Sequence, residues 1–210
     1  MKIYDIIFND VNINDVILKI PLLNKKLNEI DILPSNSKMS FFDVEIINRA
    51  FKENNKNIIF NNLLLLIEKI KNNYDYILID SPPSTGLIMS NVLCAVDDIF
   101  IPIQPEAYSY QGFSNLISYI NEIKQEYKLK IKVSGLIPTL VNKRTNLHKI
   151  MVEAITDKSK YHNIKILSSI PLSIKQADSI ASHNLPLILS NINHQHSNIY
   201  VSLLKEMNLN

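Results

Sequence analysis

Asp80 stands at the end of an apolar run in the stretch YDYILIDSPPSTG (74–86), and two prolines follow at once, Pro82 and Pro83. A carboxylate at the carboxyl end of a buried parallel strand points into the ligand crevice. There it holds Mg²⁺, often through water, beside a nucleotide phosphate. Prolines directly after it stiffen the backbone, which suits a segment that must keep its place near a phosphate. The same residues also fit a plain helix start. Ser81 or Ser84 would then cap the helix predicted over 85–96, with Asp80 merely solvated. Spacing alone leaves both readings open.

The elements that would position Asp80 follow from apolar periodicity. IDILP (30–34), YILID (76–80), DIFIPI (98–103), IKVSGLIPTL (131–140) and IKILSSIP (164–171) read as strands. Helical spacing marks 61–73, 85–96, 108–127, 144–158, 173–182 and 196–207. Strands apolar on both faces, alternating with helices, predict an α/β fold: one domain over 1–210 with a mostly parallel sheet and helices on both faces. Ligands of such sheets bind beyond the carboxyl ends of the strands, which puts Asp80, Gln104, Glu106 and Asn142 on one rim.

Composition excludes several classes. A net charge of +2 over 210 residues excludes a strongly basic nucleic-acid tail but not a local basic patch. Cys94 is the single cysteine, so there is no internal disulfide and no cysteine-based zinc or iron–sulfur centre. Charges come too early after Met1 for a signal peptide, and LLLLI (63–67) is too short to span a bilayer. The expectation is a soluble cytoplasmic protein, with nucleoid association compatible with it. The five histidines show no metal-ligand pattern.

YDYILIDSPPSTG resembles the Walker B segment of the ParA/Soj family of partition ATPases, in the deviant-Walker P-loop group. IPIQPEAYSYQGFSNL (101–116), GLIPTLVNKRTNLHKIMVEAI (135–155), the C-terminal stretch from Ser168 to Met207, and IDILPSNSKMSFFDVEI (30–46) resemble further family segments in the family's order. The resemblance implies a P-loop NTPase-like fold, ATP and Mg²⁺ as cofactors, and work in plasmid or chromosome partitioning. By resemblance Asp80 is the metal residue, Asn142 lies near the adenine base, and the backbone beside Pro171 faces adenine. Pro82 belongs to the same nucleotide-side turn. The implied partners are a ParB-like DNA-binding protein, non-specific DNA, and a second copy or a complete ParA. No membrane partner is implied, because the end IYVSLLKEMNLN is short and lacks the basic polar face of a membrane helix.

One family feature is not found. A phosphate loop needs close glycines and a lysine, whereas Gly86, Gly112 and Gly135 lie far apart and none precedes lysine. The expectation is therefore an N-terminally truncated member lacking the family's first strand–loop–helix–strand unit. It would have no catalytic residue of its own and ATPase activity near zero. Two other readings stand beside it: a non-catalytic interaction protein that modulates a complete ParA, or the remnant of a decaying gene. Each residue also has a structural alternative. Asn142 serves equally as a loop or helix-start asparagine, Pro171 as a strand stop, and Lys143, Arg144 and Lys149 as a solvated helix start.

Overall fold

The computed structural model describes residues 1–20, 30–82, 84–183, 185–191 and 194–209. The chain divides into two compact units, Met1–Ala95 and Val96–Asn210.

The first unit is mainly helical. It contains α1 (Ile3–Asn9), α2 (Phe42–Lys52), α3 (Ile58–Ile70) and α4 (Leu87–Ala95), with strands β1 (Leu18–Ile20) and β2 (Ile30–Ile32). Asp5 holds the start of α1 by accepting from the Lys2 N–H at 2.8 Å. Helix α2 has acids in its first turn and Arg49 and Lys52 in its last, which suits the helix dipole. Its Phe42, Ile46 and Ala50 recur at four-residue spacing and are buried. With Ile7, Ile13, Leu66 and Ile70, Phe42 and Ile46 form the core of this unit. Strands β1 and β2 pair antiparallel, Leu18 opposite Ile32.

A buried amide ties α3 to α4. Asn91 is 2% exposed. Its Oδ1 accepts from the Asn62 N–H at 3.1 Å, and its Nδ2 donates to the carbonyls of Ile59 (2.7 Å) and Leu87 (2.8 Å). A second tie comes from Asp43 of α2, whose Oδ2 accepts from the Leu87 N–H at the start of α4 at 3.4 Å. Gly86 therefore leads into a helix anchored at its first residue.

The second unit carries β3 (Asp98–Ile103), α5 (Ala107–Glu126), β4 (Lys132–Pro138), α6 (Asn146–Tyr161), α7 (Ile174–His183), α8 (Leu187–Ser190) and α9 (Gln195–Glu206). Strands β3 and β4 are parallel, from Asp98 opposite Lys132 to Ile103 opposite Pro138. The register slips between Ile99 and Phe100, which leaves Ser134 as the extra residue of a bulge. Gly135 follows it, and a Cβ there would meet Leu167 at 2.6 Å and Phe100 at 3.1 Å. Only a residue without a side chain lets 164–171 lie this close to β4.

The expected large, mostly parallel sheet with helices on both faces is corrected. Among the described residues helices dominate, and the sheets are two of two strands each. The reason is pairing. YILID (76–80) finds no ladder, and its Tyr76 and Leu78 are 53% and 82% exposed. An apolar run becomes a strand only when a neighbour supplies partners for its N–H and C=O groups. The 164–171 run does lie beside β4, through parallel bridges Leu136–Ile166 and Val141–Pro171, but the pairing is interrupted between them.

Candidate functional site

The carboxyl end of β4 is built by three converging segments. The Thr139 N–H donates to the Ile103 carbonyl at 2.8 Å, which brings the end of β3, followed by Gln104, to this place. Leu140 then takes a φ of 52°. A branched side chain is uncommon in the left-handed region, and such backbone tends to occur at functional sites. The bend lets Val141 pair with the third segment: its N–H donates to Ile170 and its carbonyl accepts from Leu172, both at 3.1 Å. Pro171 is thereby paired with Val141, the residue before Asn142.

Asn142 is fixed on several sides. Its Oδ1 accepts from the Arg144 N–H at 3.1 Å, a local turn typical of asparagine. Its carbonyl accepts from the Thr145 N–H at 3.2 Å and the Thr145 hydroxyl at 3.1 Å. Its own N–H donates to Nδ1 of His148 at 3.1 Å, so the imidazole presents Nδ1 as an acceptor. The Nδ2 of Asn142 has no partner among the described residues. Lys143, Arg144 and Lys149 are exposed around this turn. Glu106 directly precedes α5, and Gly112 is exposed within that helix with open space beside its Cα.

The 164–171 run is clamped from its other side. Glu206 of α9 accepts from the Ser168 N–H at 2.7 Å and from the Ser168 hydroxyl. Those bonds, hydroxyl first, hold the Glu206 carboxyl below the usual carboxylate range, with Lys165 adding attraction. Helix α6 is fastened to α5 in a similar way: Lys158 donates to the Ser114 hydroxyl and lies 4.2 Å from the Tyr110 ring centre.

Asp80 and Pro82 belong to the first unit. Both are exposed, and Asp80 has no hydrogen bond or ion pair among the described residues. Pro83 lies outside the described residues. No group of three or more His, Cys, Asp or Glu among the described residues could hold a metal ion by itself. One free carboxylate fits Mg²⁺ only where phosphate oxygens and water complete the shell. Cys94 is partly buried on α4, and burial pushes its thiol up, as suits an inert packing residue. No described helix is long and apolar enough to cross a membrane.

Sequence reasoning missed His148, Leu140 and Asn91. His148 was readable as the third residue of a helix that opens after Asn-Lys-Arg-Thr, where it can reach back to the asparagine N–H. Nothing in the local pattern marks Leu140 as left-handed.

A family model described as an AAA domain matches residues 1–133. The match starts at the first residue, so the N-terminal part of the chain lies within the family's domain. That overturns the expectation of a truncated member whose N-terminal unit is missing. The sporulation initiation inhibitor protein Soj of Bacillus subtilis is 29% identical over 209 residues, covering 99% of this chain and 76% of the relative. A ParA family protein of Mycoplasma pneumoniae is 26% identical over 210 residues, covering 92% and 74%. Among solved structures, the Cyanothece McdA–ATP complex superposes with a TM-score of 0.80 at 14% identity, over 100% of this chain and 76% of that one. A putative plasmid partition protein of Borrelia burgdorferi bound to AMPPNP gives 0.73 at 22% identity, over 99% and 73%. These two likenesses establish the fold. The family model covers more than half of the chain, which therefore belongs to that AAA-domain family, and its curated relatives include Soj and ParA family proteins.

Proposed function

We propose that this protein serves DNA partitioning by sensing an adenine nucleotide at the carboxyl rim of its second unit, with turnover on the 210-residue chain alone near background. The observation that supports this reading is the bridge between Val141 and Pro171, which pairs the residue before Asn142 with Pro171. A free amide donor next to a proline-stiffened backbone suits the ring nitrogens and edge of a purine. Asp80, unpaired and exposed, is the residue for Mg²⁺, shared with phosphate oxygens, and Pro82 stiffens the turn that follows it. ATP and Mg²⁺ are thus the cofactors of this reading, a ParB-like DNA-binding protein and non-specific DNA are its partners, and the cytoplasm is its place.

The expectation of little turnover rests on three widely spaced glycines, none followed by lysine. Catalysis of phosphoryl transfer consists largely of positioning and charge stabilisation by such a loop. The same observation favours a second reading, in which the chain pairs with a complete family member and tunes its state without hydrolysing.

Titration calorimetry with Mg²⁺-ATP and Mg²⁺-GTP tests the proposal. Preference for ATP, weakened about fivefold by Asn142→Ala, is expected, the loss of one hydrogen bond worth about 1 kcal/mol. Equal affinity for both nucleotides, or an Asn142→Ala variant that binds as well as the parent, would sink the assignment.

A further inference from the structure

Helix α9 opens on two histidines. His194 caps it: its Nδ1 accepts from the His196 N–H at 3.2 Å. That bond requires a neutral ring with its proton on Nε2. The His194 carbonyl accepts from the Ser197 N–H at 2.8 Å and the Asn198 N–H at 3.3 Å. The buried Ser197 hydroxyl donates back to the Asn191 carbonyl at 2.7 Å. The rings of His194 and His196 meet edge to face, with centres 5.2 Å apart. Nδ1 of His196 is buried and has no hydrogen-bond partner among the described residues.

A proton on His194 turns its Nδ1 from acceptor to donor, so the His196 N–H loses its partner and faces a second donor. A proton on His196 places an N–H where no acceptor stands, and a buried unsatisfied donor is costly. Two imidazolium ions at this spacing repel. Both charges also sit at the amino end of a helix, where the backbone dipole is already positive. Every one of these effects opposes the first turn of α9. No carboxylate offsets them. Helix α8, packed against α9, carries no titratable group. Helix α7 meets α9 through Gln176, which donates to the Tyr200 hydroxyl. Its Lys175, Asp178 and His183 make no ion pair or hydrogen bond with either histidine among the described residues. Lys165 and Glu206 stand at the far end of α9.

The far end answers to a different pH. Glu206 holds the Ser168 N–H and hydroxyl, and those bonds keep its carboxyl below the usual carboxylate range. It stays ionised and bound while histidines charge, roughly between pH 5 and 8. Leu203, one turn earlier, is buried against Ile137 and Leu167. We propose that α9 is an acid-released hinge: charging of His194 and His196 frees its first turn, while Glu206 and Leu203 keep its last turn on 164–171. The hinge is independent of the nucleotide rim and stands or falls without it.

The ¹⁵N-labelled chain, without nucleotide, is taken from about pH 8 to about pH 5 while imidazole nitrogens and backbone amides are followed together. The His196, Ser197 and Asn198 amides should move in step with the His194 and His196 rings. Exchange protection at the Ser197 amide should fall about tenfold, the equivalent of about 1.4 kcal/mol, after correction for intrinsic pH dependence. The Ser168 amide should hold still over the same range. His162 at the carboxyl end of α6 and His183 in the last turn of α7 are internal references, whose charging should leave the α9 amides in place. His194→Asn keeps a capping oxygen that does not titrate, so it should lose most of the acid response. His196→Gln keeps the His194 cap and should lose the remainder. Three results would overturn the proposal: α9 amides indifferent to the two rings, a His194→Asn variant as acid-responsive as the parent, or Ser168 moving in the same step, which marks general loosening and not a hinge.

Discussion

YILID (76–80) and DIFIPI (98–103) look alike as sequence, yet they end differently. DIFIPI is a strand, paired residue for residue with β4. YILID has no ladder partner and leaves Leu78 82% exposed. The first unit instead gains its order from helices locked by a buried polar tie, Asn91 between α3 and α4. The second gains it from close backbone packing at Gly135. Hydrophobic pattern says that a segment wants burial. Whether it becomes a strand depends on a neighbour elsewhere in the chain offering free N–H and C=O groups at the right spacing.

The contrast can be broken at its weakest points. Asn91→Leu should have the largest effect. It strands the Asn62 N–H and the Ile59 carbonyl in an apolar interface, a loss of roughly 3 kcal/mol read from the urea midpoint, with early amide exchange in α3 and α4. Gly135→Ala should follow, at about 2 kcal/mol, because its Cβ collides with buried Leu167 and not merely with a flexible tip. Its amide exchange should rise in β4 and 164–171.

Glu206→Gln is the third test. The Glu206 carboxyl is held lower in the fold than its ordinary 4.5, so its contribution is complete above that pH and fades as pH falls through the lowered folded value. The variant should lose about 1 kcal/mol at neutral pH, after allowing for solvent screening, and should show a flatter acid limb in urea melts from neutral to low pH. An unchanged acid limb would mean that the Ser168 clamp contributes nothing. Smallest is Leu140→Gly, where relief of left-handed strain and the added chain entropy of glycine nearly cancel, leaving stability within about 0.5 kcal/mol. Leu140→Val should lose more than glycine does, since a β-branched residue tolerates that φ poorly.

Six helices were legible because their apolar faces repeat at helical spacing, whereas α1, α2 and α8 were not expected from the pattern. The predicted 108–127 and 173–182 appear as Ala107–Glu126 and Ile174–His183. The β3 strand was legible to the residue. The breadth of the sheet was not, since pairing is a long-range property and an apolar run carries no mark of its partner. At the candidate site, Asn142 and Pro171 were named from the family resemblance, and the structure pairs Pro171 with Val141, the neighbour of Asn142. Their supports, His148 and Leu140, act through a backbone N–H and a backbone angle that single-residue patterns do not reveal.

The most direct measurement is a titration of the ¹⁵N-labelled chain with Mg²⁺-ADP, read at the backbone amides. The account predicts saturable movement centred on Val141, Asn142 and Leu172, reduced in Asn142→Ala. Movement confined to other residues, or none at all at millimolar nucleotide, would contradict the claim that this rim receives the adenine.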